Sequence, residues 1–245
     1  MGTDVTLASR DLSGRTALEI LQWALDEFDD RVALASSFGA EDVALIDMLT
    51  RLSRQPRVFV LDTGRLHEAT YEVMERIRDR YGIELDIYFP QRDEVERLER
   101  EEGLLSFRRS LEARHACCSI RKVEPLGRAV SGLKAWITGM RKEQSVTRTQ
   151  AAAVEDDRLH PGVIKVNPLI DWTTEQVWEY IRRYDVPYNA LHDMGYPSIG
   201  CEPCTRAVQA GEHPRAGRWW WESPEHKECG LHVPSAGHPD GGRSC

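Results

Sequence analysis

The chain lacks any apolar run approaching the roughly 18 residues that cross a bilayer, and its first residues have neither the cationic start nor the apolar core of a secretory signal. A cytoplasmic protein without membrane contact is the expectation. Met1-Gly-Thr-Asp-Val-Thr6 fits the loose myristoylation pattern, but no second membrane signal follows it. Positive charge is also in deficit: 32 Lys and Arg face 40 Asp and Glu, a formal net charge of -8. General nucleic-acid binding needs a basic face that neutralises phosphates, so the balance argues against that class. No internal repeat is present. Cysteine is sparse, six in 245 residues, and a disulfide framework is not expected where thiols stay reduced. The spacing of those cysteines, one adjacent pair and one Cys-x-x-Cys, points to metal binding or redox catalysis instead.

At 41% hydrophobic, a chain of this length can bury a full core as one large domain with an appendage. Residues 1–210 read as that domain and 211–245 as a C-terminal tail. Leu18, Leu21, Leu25 and Phe28 recur at helical spacing in a first amphipathic helix. Arg31 to Phe38 is a short apolar strand ending in small residues, and Glu41-Asp42 opens a helix through Leu52. Arg57-Val-Phe-Val-Leu61 is a second strand, followed by a helix to Tyr81 that Gly82 closes. Ile83 to Phe89 is a third strand, Asp93 to Glu102 an acidic helix, and Lys134-Ala-Trp-Ile-Thr138 a fourth strand. Such alternation predicts an α/β fold with a Rossmann-like parallel sheet and ligands at the carboxyl ends of the strands. Three of those ends carry candidate nucleotide contacts: Ser36, Ser37 and Gly39; Leu61, Thr63 and Gly64; Gly139 and Arg141. The first, a Ser/Gly loop leading into a helix, would present backbone N–H groups to an anion. Further on, Thr173 and Gln176 read as a capping box for a helix whose buried stripe is Val177, Ile181 and Tyr184.

Cys201 and Cys204 can point two sulfurs at one ion or cluster across a tight turn, with Gly200 and Pro203 supplying the turn. Cys117-Cys118 would complete four thiolates, the complement of a structural zinc or an iron-sulfur cluster. Adjacent side chains on a helix lie about 100 degrees apart, which strains a tetrahedral zinc site and favours the larger 4Fe-4S cluster. Basic residues flank both halves. Arg108, Arg109, Arg114, Arg121 and Lys122 surround the pair, and Arg206, His213, Arg215 and Arg218 follow the loop. Two basic groups beside one thiolate site suggest an anion held by focused charge. Of the remaining cysteines, Cys229 has Lys227 and His232 nearby to lower its pKa and make its thiolate a nucleophile, whereas Cys245 lies in a Gly-rich end. The stretch from Gly211 to His232, rich in Gly, Pro and charge, reads as a mobile flap.

Together these motifs resemble the assimilatory sulfonucleotide reductases, specifically the iron-sulfur adenylyl-sulfate (APS) reductases of bacteria. The resemblance runs through Ser36-Ser-Phe-Gly-Ala-Glu-Asp42, Leu61-Asp-Thr-Gly64, Cys117-Cys-Ser-Ile-Arg-Lys122, Trp136-Ile-Thr-Gly-Met-Arg141, the Cys201/Cys204 loop, Gly217-Arg-Trp219 and Glu228-Cys-Gly-Leu-His232. It implies a sheet of the adenine nucleotide alpha-hydrolase type, related to ATP pyrophosphatases, with an iron-sulfur loop and a mobile C-terminal segment. It also implies one 4Fe-4S cluster on Cys117, Cys118, Cys201 and Cys204, and thioredoxin-dependent reduction of APS to sulfite and AMP through an S-sulfonated Cys229. Lys122, Arg215 and Arg218 would then neutralise sulfate and phosphate, and His232 would assist the thiolate or orient the tail. The first loop departs from the Ser-Gly-Gly-x-Asp-Ser pattern of ATP pyrophosphatases: Phe38 replaces the first Gly, and the closing Ser is missing. That departure argues against ATP cleavage. The alternatives are reduction of 3'-phosphorylated APS (PAPS), iron-sulfur tRNA thiolation and a zinc-bound interaction module. A homo-oligomer is left open.

Overall fold

The protein, seen in a computed structural model, is described for residues 3–145 and 148–223. Cys229, His232 and Cys245 lie outside the described residues. The helices are α1 (Val5–Asp11), α2 (Ala17–Phe28), α3 (Ala40–Leu52), α4 (Glu68–Tyr81), α5 (Arg92–Glu102), α6 (Leu111–Cys118), α7 (Glu124–Val130) and α8 (Thr174–Tyr184). The strands are β1 (Val32–Ser36), β2 (Val58–Leu61), β3 (Leu85–Tyr88), β4 (Ala135–Ile137), β5 (Val154–Asp156) and β6 (Ile164–Val166). They form one sheet in the order β3-β2-β1-β4-β6-β5.

Each central strand alternates its side chains between two buried faces, as the two-residue period requires. Val32 and Leu34 of β1, Val58 and Val60 of β2, and Ala135 and Ile137 of β4 enter the larger core beneath α2, α3, α4 and α8. Ala33, Phe59 and Trp136 point the other way, onto Leu126, Ala129 and Val130 of α7. Burial on both faces is why these strands read as continuous apolar runs. All ladders are parallel except β5–β6.

The four expected strands are present, each trimmed at one or both ends. The expected helix boundaries hold closely: Gly82 closes α4 in the left-handed region (φ 61°), and Thr173 and Gln176 form the reciprocal capping box of α8. The structure adds α1, α6, α7, β5 and β6. The extra strands are three residues each, too short for periodicity to register, and β5 carries two acids in Val154-Glu-Asp156.

The chain runs outward from β1 through β2 to β3, then returns to place β4 on the opposite side of β1. That reversal leaves a crevice at the carboxyl ends of β1 and β4, the position where sheets of this kind take ligands.

Candidate active site

Two regions meet above the carboxyl ends of the strands. At the β1/β4 crevice, Phe38 takes a left-handed backbone (φ 57°) and buries its ring completely. Such a conformation costs a non-glycine residue about 1–2 kcal/mol, less than burying a Phe contributes, and it explains why this loop has no Gly there. The turn aims Ser37 back at the first turn of α3. Asp42 Oδ2 accepts from the Ser37 amide at 2.6 Å and from its hydroxyl at 2.8 Å. The Ser37 donors expected for an anionic ligand are thus held by a carboxylate of the chain itself. Ser36 is buried, its Oγ accepting from the Phe38 amide at 3.2 Å. Gly39 caps α3 with no side chain. Gly139, at the end of β4, approaches so closely that a Cβ there would overlap Asp42 and sit 2.8 Å from the Glu41 Cβ. Burial pushes the Asp42 carboxyl up to about 6, against the opposing hydrogen bonds from Ser37.

Arg141, expected as a ligand contact, has its nitrogens engaged within the fold. Its Nε and Nη2 donate to Glu41 Oε1 at 2.9 and 2.7 Å, and Nη1 donates to Glu143 Oε2 at 2.8 Å and to the Trp172 carbonyl at 3.2 Å. At 5% exposed, an arginine is retained only when paired, and here it ties the end of β4 to the starts of α3 and α8.

The second region holds the sulfurs. Ser110 caps α6, accepting from the Ala113 amide, and α6 ends on Cys117 and Cys118. A wider π turn, Ser119–Val123, follows; such turns recur at functional sites. It leaves Arg121 buried and Lys122 half-buried. From the other side, the Cys201/Cys204 loop is anchored by the Glu202 amide donating to the Arg65 carbonyl at 2.8 Å. The result is one cavity lined by Cys117, Cys118, Cys201, Cys204, Lys122 and Arg218, with Arg65, Arg114, Arg121, Phe107 and Trp219 completing its wall. The end of β2 meets it directly. Thr63 Oγ1 lies 3.3 Å from Cys201 Sγ, and the Thr63 carbonyl accepts from Arg121 Nη1 at 2.7 Å. Gly64 turns through a left-handed conformation (φ 69°), stabilised by its amide donating to Asp62.

Of the sequence-predicted residues, the four cysteines, Lys122 and Arg218 are brought together, with Thr63 in contact. Arg215 is not among the lining residues; its carbonyl accepts from the Arg218 amide at 3.0 Å and turns the chain inward. Sequence reasoning missed Arg65 and Glu99. Glu99 Oε1 accepts from Arg65 Nη2 at 2.8 Å and Arg121 Nη2 at 2.5 Å, holding two cations of the wall. The available signals were the position of Arg65 directly after Leu61-Asp-Thr-Gly64 and the acidic stripe of α5. Part of the stretch expected as a flap is packed: Arg218 and Trp219 are 6% and 2% exposed, bridged through Arg218 to Thr205 and by the Trp219 amide to the Cys204 carbonyl at 3.1 Å, and its last residues, 224–232, lie outside the described residues.

Burial pushes the Cys204 thiol up to about 12, reinforced by Cys201 and Cys118 and opposed by Arg218. Burial also raises Cys117, against Arg65 and Arg121. Four ionised sulfurs here need positive charge, which an iron-sulfur group supplies. One further observation fits such a group. Arg121 Nε and Arg218 Nε are buried donors with no acceptor among the described residues, as expected beside an electron-rich sulfide or thiolate. No helix among the described residues is long and apolar enough to cross a membrane.

The family model of the phosphoadenosine phosphosulfate reductase domain matches residues 31–207. An adenosine 5'-phosphosulfate reductase from Burkholderia cepacia is 50% identical over 216 residues, covering 88% of this chain and 86% of that protein. Among solved structures, the phosphoadenylyl-sulfate (PAPS) reductase of Candida auris, in a phosphate complex, superposes with a TM-score of 0.70 at 29% identity, covering 83% of this chain and 96% of that one. The FMN adenylyltransferase of Candida glabrata shares the fold at a TM-score of 0.54 and 13% identity, covering 92% of this chain and 83% of that one.

Proposed function

The chain belongs to the phosphoadenosine phosphosulfate reductase domain family, and from that premise we propose that it reduces adenosine 5'-phosphosulfate (APS) to sulfite and AMP in the cytoplasm, with thioredoxin as reductant. The observation that carries this reading is a juxtaposition: four cysteines from two distant segments share one cavity with Lys122 and Arg218. The 50% identical relative named for APS, against 29% for the PAPS reductase, favours APS over its 3'-phosphorylated form.

In this mechanism the Cys229 thiolate bonds to the sulfonyl sulfur of APS as the S–O bond to the AMP phosphate breaks, and AMP leaves with the electron pair. A thioredoxin thiolate then attacks the sulfur of Cys229 and sulfite departs with the S–S electron pair. The second thioredoxin thiol resolves the mixed disulfide, so two thiols are oxidised while the transferred sulfur is reduced to sulfite. Lys122 and Arg218 face the developing anionic charge, and Arg215 turns Arg218 toward it. His232 assists the thiolate. The adenosine is read into the β1/β4 crevice, between Ser36, Ser37, Gly39 and Gly139, with Leu61, Thr63 and Gly64 bridging to the cavity. Cys117, Cys118, Cys201 and Cys204 would hold one 4Fe-4S cluster, which supplies fixed charge and a rigid tie between the two cysteine segments.

The test is anaerobic purification, iron and sulfide analysis, and sulfite release from APS against PAPS. Without reductant, APS should add one sulfonate, about 80 Da, to a peptide containing Cys229, because a covalent intermediate accumulates when its second step is withheld. Cys229→Ser should lose adduct and activity but keep the colour. An adduct on Cys245, zinc in place of iron, or preference for PAPS would each overturn the corresponding part.

A further inference from the structure

Arg114 lies on α6, one helical turn before Cys117 and Cys118, and residues at that spacing share a face. It is fully buried, and its Nε donates to Glu222 Oε1 at 2.7 Å across 108 positions of sequence. Its guanidinium also lies 4.5 Å from the Trp219 ring centre, and the Arg218 guanidinium lies 4.6 Å from the same ring. Trp219 is in turn fastened to the other sulfur segment through its amide and the Cys204 carbonyl, and the Glu222 amide closes the turn onto the Trp219 carbonyl at 2.8 Å. A continuous path therefore runs from the Cys117-Cys118 helix through Arg114, Glu222 and Trp219 to Cys204.

We propose that the Arg114–Glu222 pair is a staple that positions the two cysteine-bearing segments at the separation their shared cluster requires. The proposal rests on the reading that the four cysteines hold one cluster. Two features separate a staple from general stabilisation. Trp219 lies outside the two apolar clusters that cover the sheet and, with Arg114, lines the sulfur cavity instead. Glu222 Oε2 is also buried without a hydrogen-bond partner among the described residues, an arrangement poor for stability alone, since a buried pair is often matched by apolar residues of similar volume. What an ion pair adds is registry between the two segments, alongside the Arg108 Nη2 hydrogen bond to the Pro203 carbonyl at 3.1 Å.

The staple is tested on the anaerobically purified, cluster-loaded protein by following decay of its absorbance near about 400 nm in a ferrous chelator. Glu222→Ala should lose absorbance at least tenfold faster than the unaltered protein, equivalent to about 1.4 kcal/mol on the opening step. Glu222→Gln, which keeps an acceptor for Arg114, should fall between the two. The cluster-free forms of all three should melt together by circular dichroism. Equal decay rates would overturn the staple while leaving the cluster reading intact, as would a melting difference between cluster-free forms that accounts for the faster decay. Absence of iron and sulfide from the unaltered protein would overturn both. Should Glu222→Ala not accumulate in folded form, Glu222→Gln decides, an unchanged rate overturning the proposal.

Discussion

Replacing Asp42 with Asn removes a carboxylate that folding takes wholly out of water. Burial raises its pKa from the ordinary 3.8 to about 6, although the Ser37 amide and hydroxyl and the Gly39 amide favour the charged form. Because the folded value lies above the unfolded one, the folded state binds this proton more tightly. The stabilising contribution is therefore complete below about pH 4, falls as pH rises, and is gone once pH passes about 6. The rise from 3.8 to about 6 sets the swing at roughly 3 kcal/mol. Asn is the neutral isostere, and its Oδ1 can accept from the same two Ser37 donors. The stability difference between Asp42→Asn and the unaltered protein should thus turn in favour of Asn by roughly 2–3 kcal/mol between pH 4 and pH 7. Urea unfolding of both proteins across that range measures it, since every other titrating group cancels in the difference. A difference that is flat in pH, or that moves toward Asp as pH rises, refutes the reasoning. If Asn stabilises the protein but lowers turnover of APS, the ionised carboxylate at the β1/β4 crevice is kept for the reaction at the expense of the fold.

Glu99→Gln should lower stability by about 1–2 kcal/mol in urea unfolding, the charge-assisted value discounted for a partly exposed carboxylate; an unchanged midpoint would show that Arg65 and Arg121 hold their places without it. A Cβ on Gly200 would overlap the Arg218 guanidinium. Gly200→Ala should therefore lower kcat/KM for APS roughly tenfold to a hundredfold, and combining it with Arg218→Ala should add little, because both remove the same contact. Additive losses would place the two in separate roles. Lys122 and Arg218, replaced singly by Ala, should each cost roughly tenfold to a thousandfold in kcat/KM, and wild-type kinetics in the double variant would remove them from the anion site.

The sheet was legible because its central strands are buried on both faces, so each appears as an apolar run whatever its partner. Helix ends were legible where they carry their own chemistry, as at Thr173, Gln176 and Gly82. What escaped was structure fixed from a distance. Strand β5 is short and acidic, and exists because its backbone pairs with β6 and Lys165 lies near Glu155, 3.7 Å away in the fold. Helix α6 is eight residues long with Arg and His among its cysteines; its stability comes from what its face buries, and that face only makes sense once the Cys201/Cys204 loop is in place.

The site divides along the same line. Thiol count and spacing are local, so the four cysteines could be placed in one group before any fold was known. The role of a charged residue is set by what lies opposite it, and spacing carries no such information. Arg141 and Arg121 looked alike in sequence, each lying within a motif shared with the reductases. Arg141 meets Glu41 and Glu143 and becomes a tie between three elements. Arg121 meets Glu99, which it shares with Arg65, and its Nε has no acceptor among the described residues. Both arginines are thus charge-paired and shape walls, Arg141 at the crevice and Arg121 at the sulfur cavity, whereas Arg218 donates through Nη1 to the uncharged Ile199 carbonyl. That contrast predicts that Arg218, and neither Arg121 nor Arg141, acts on the anionic substrate.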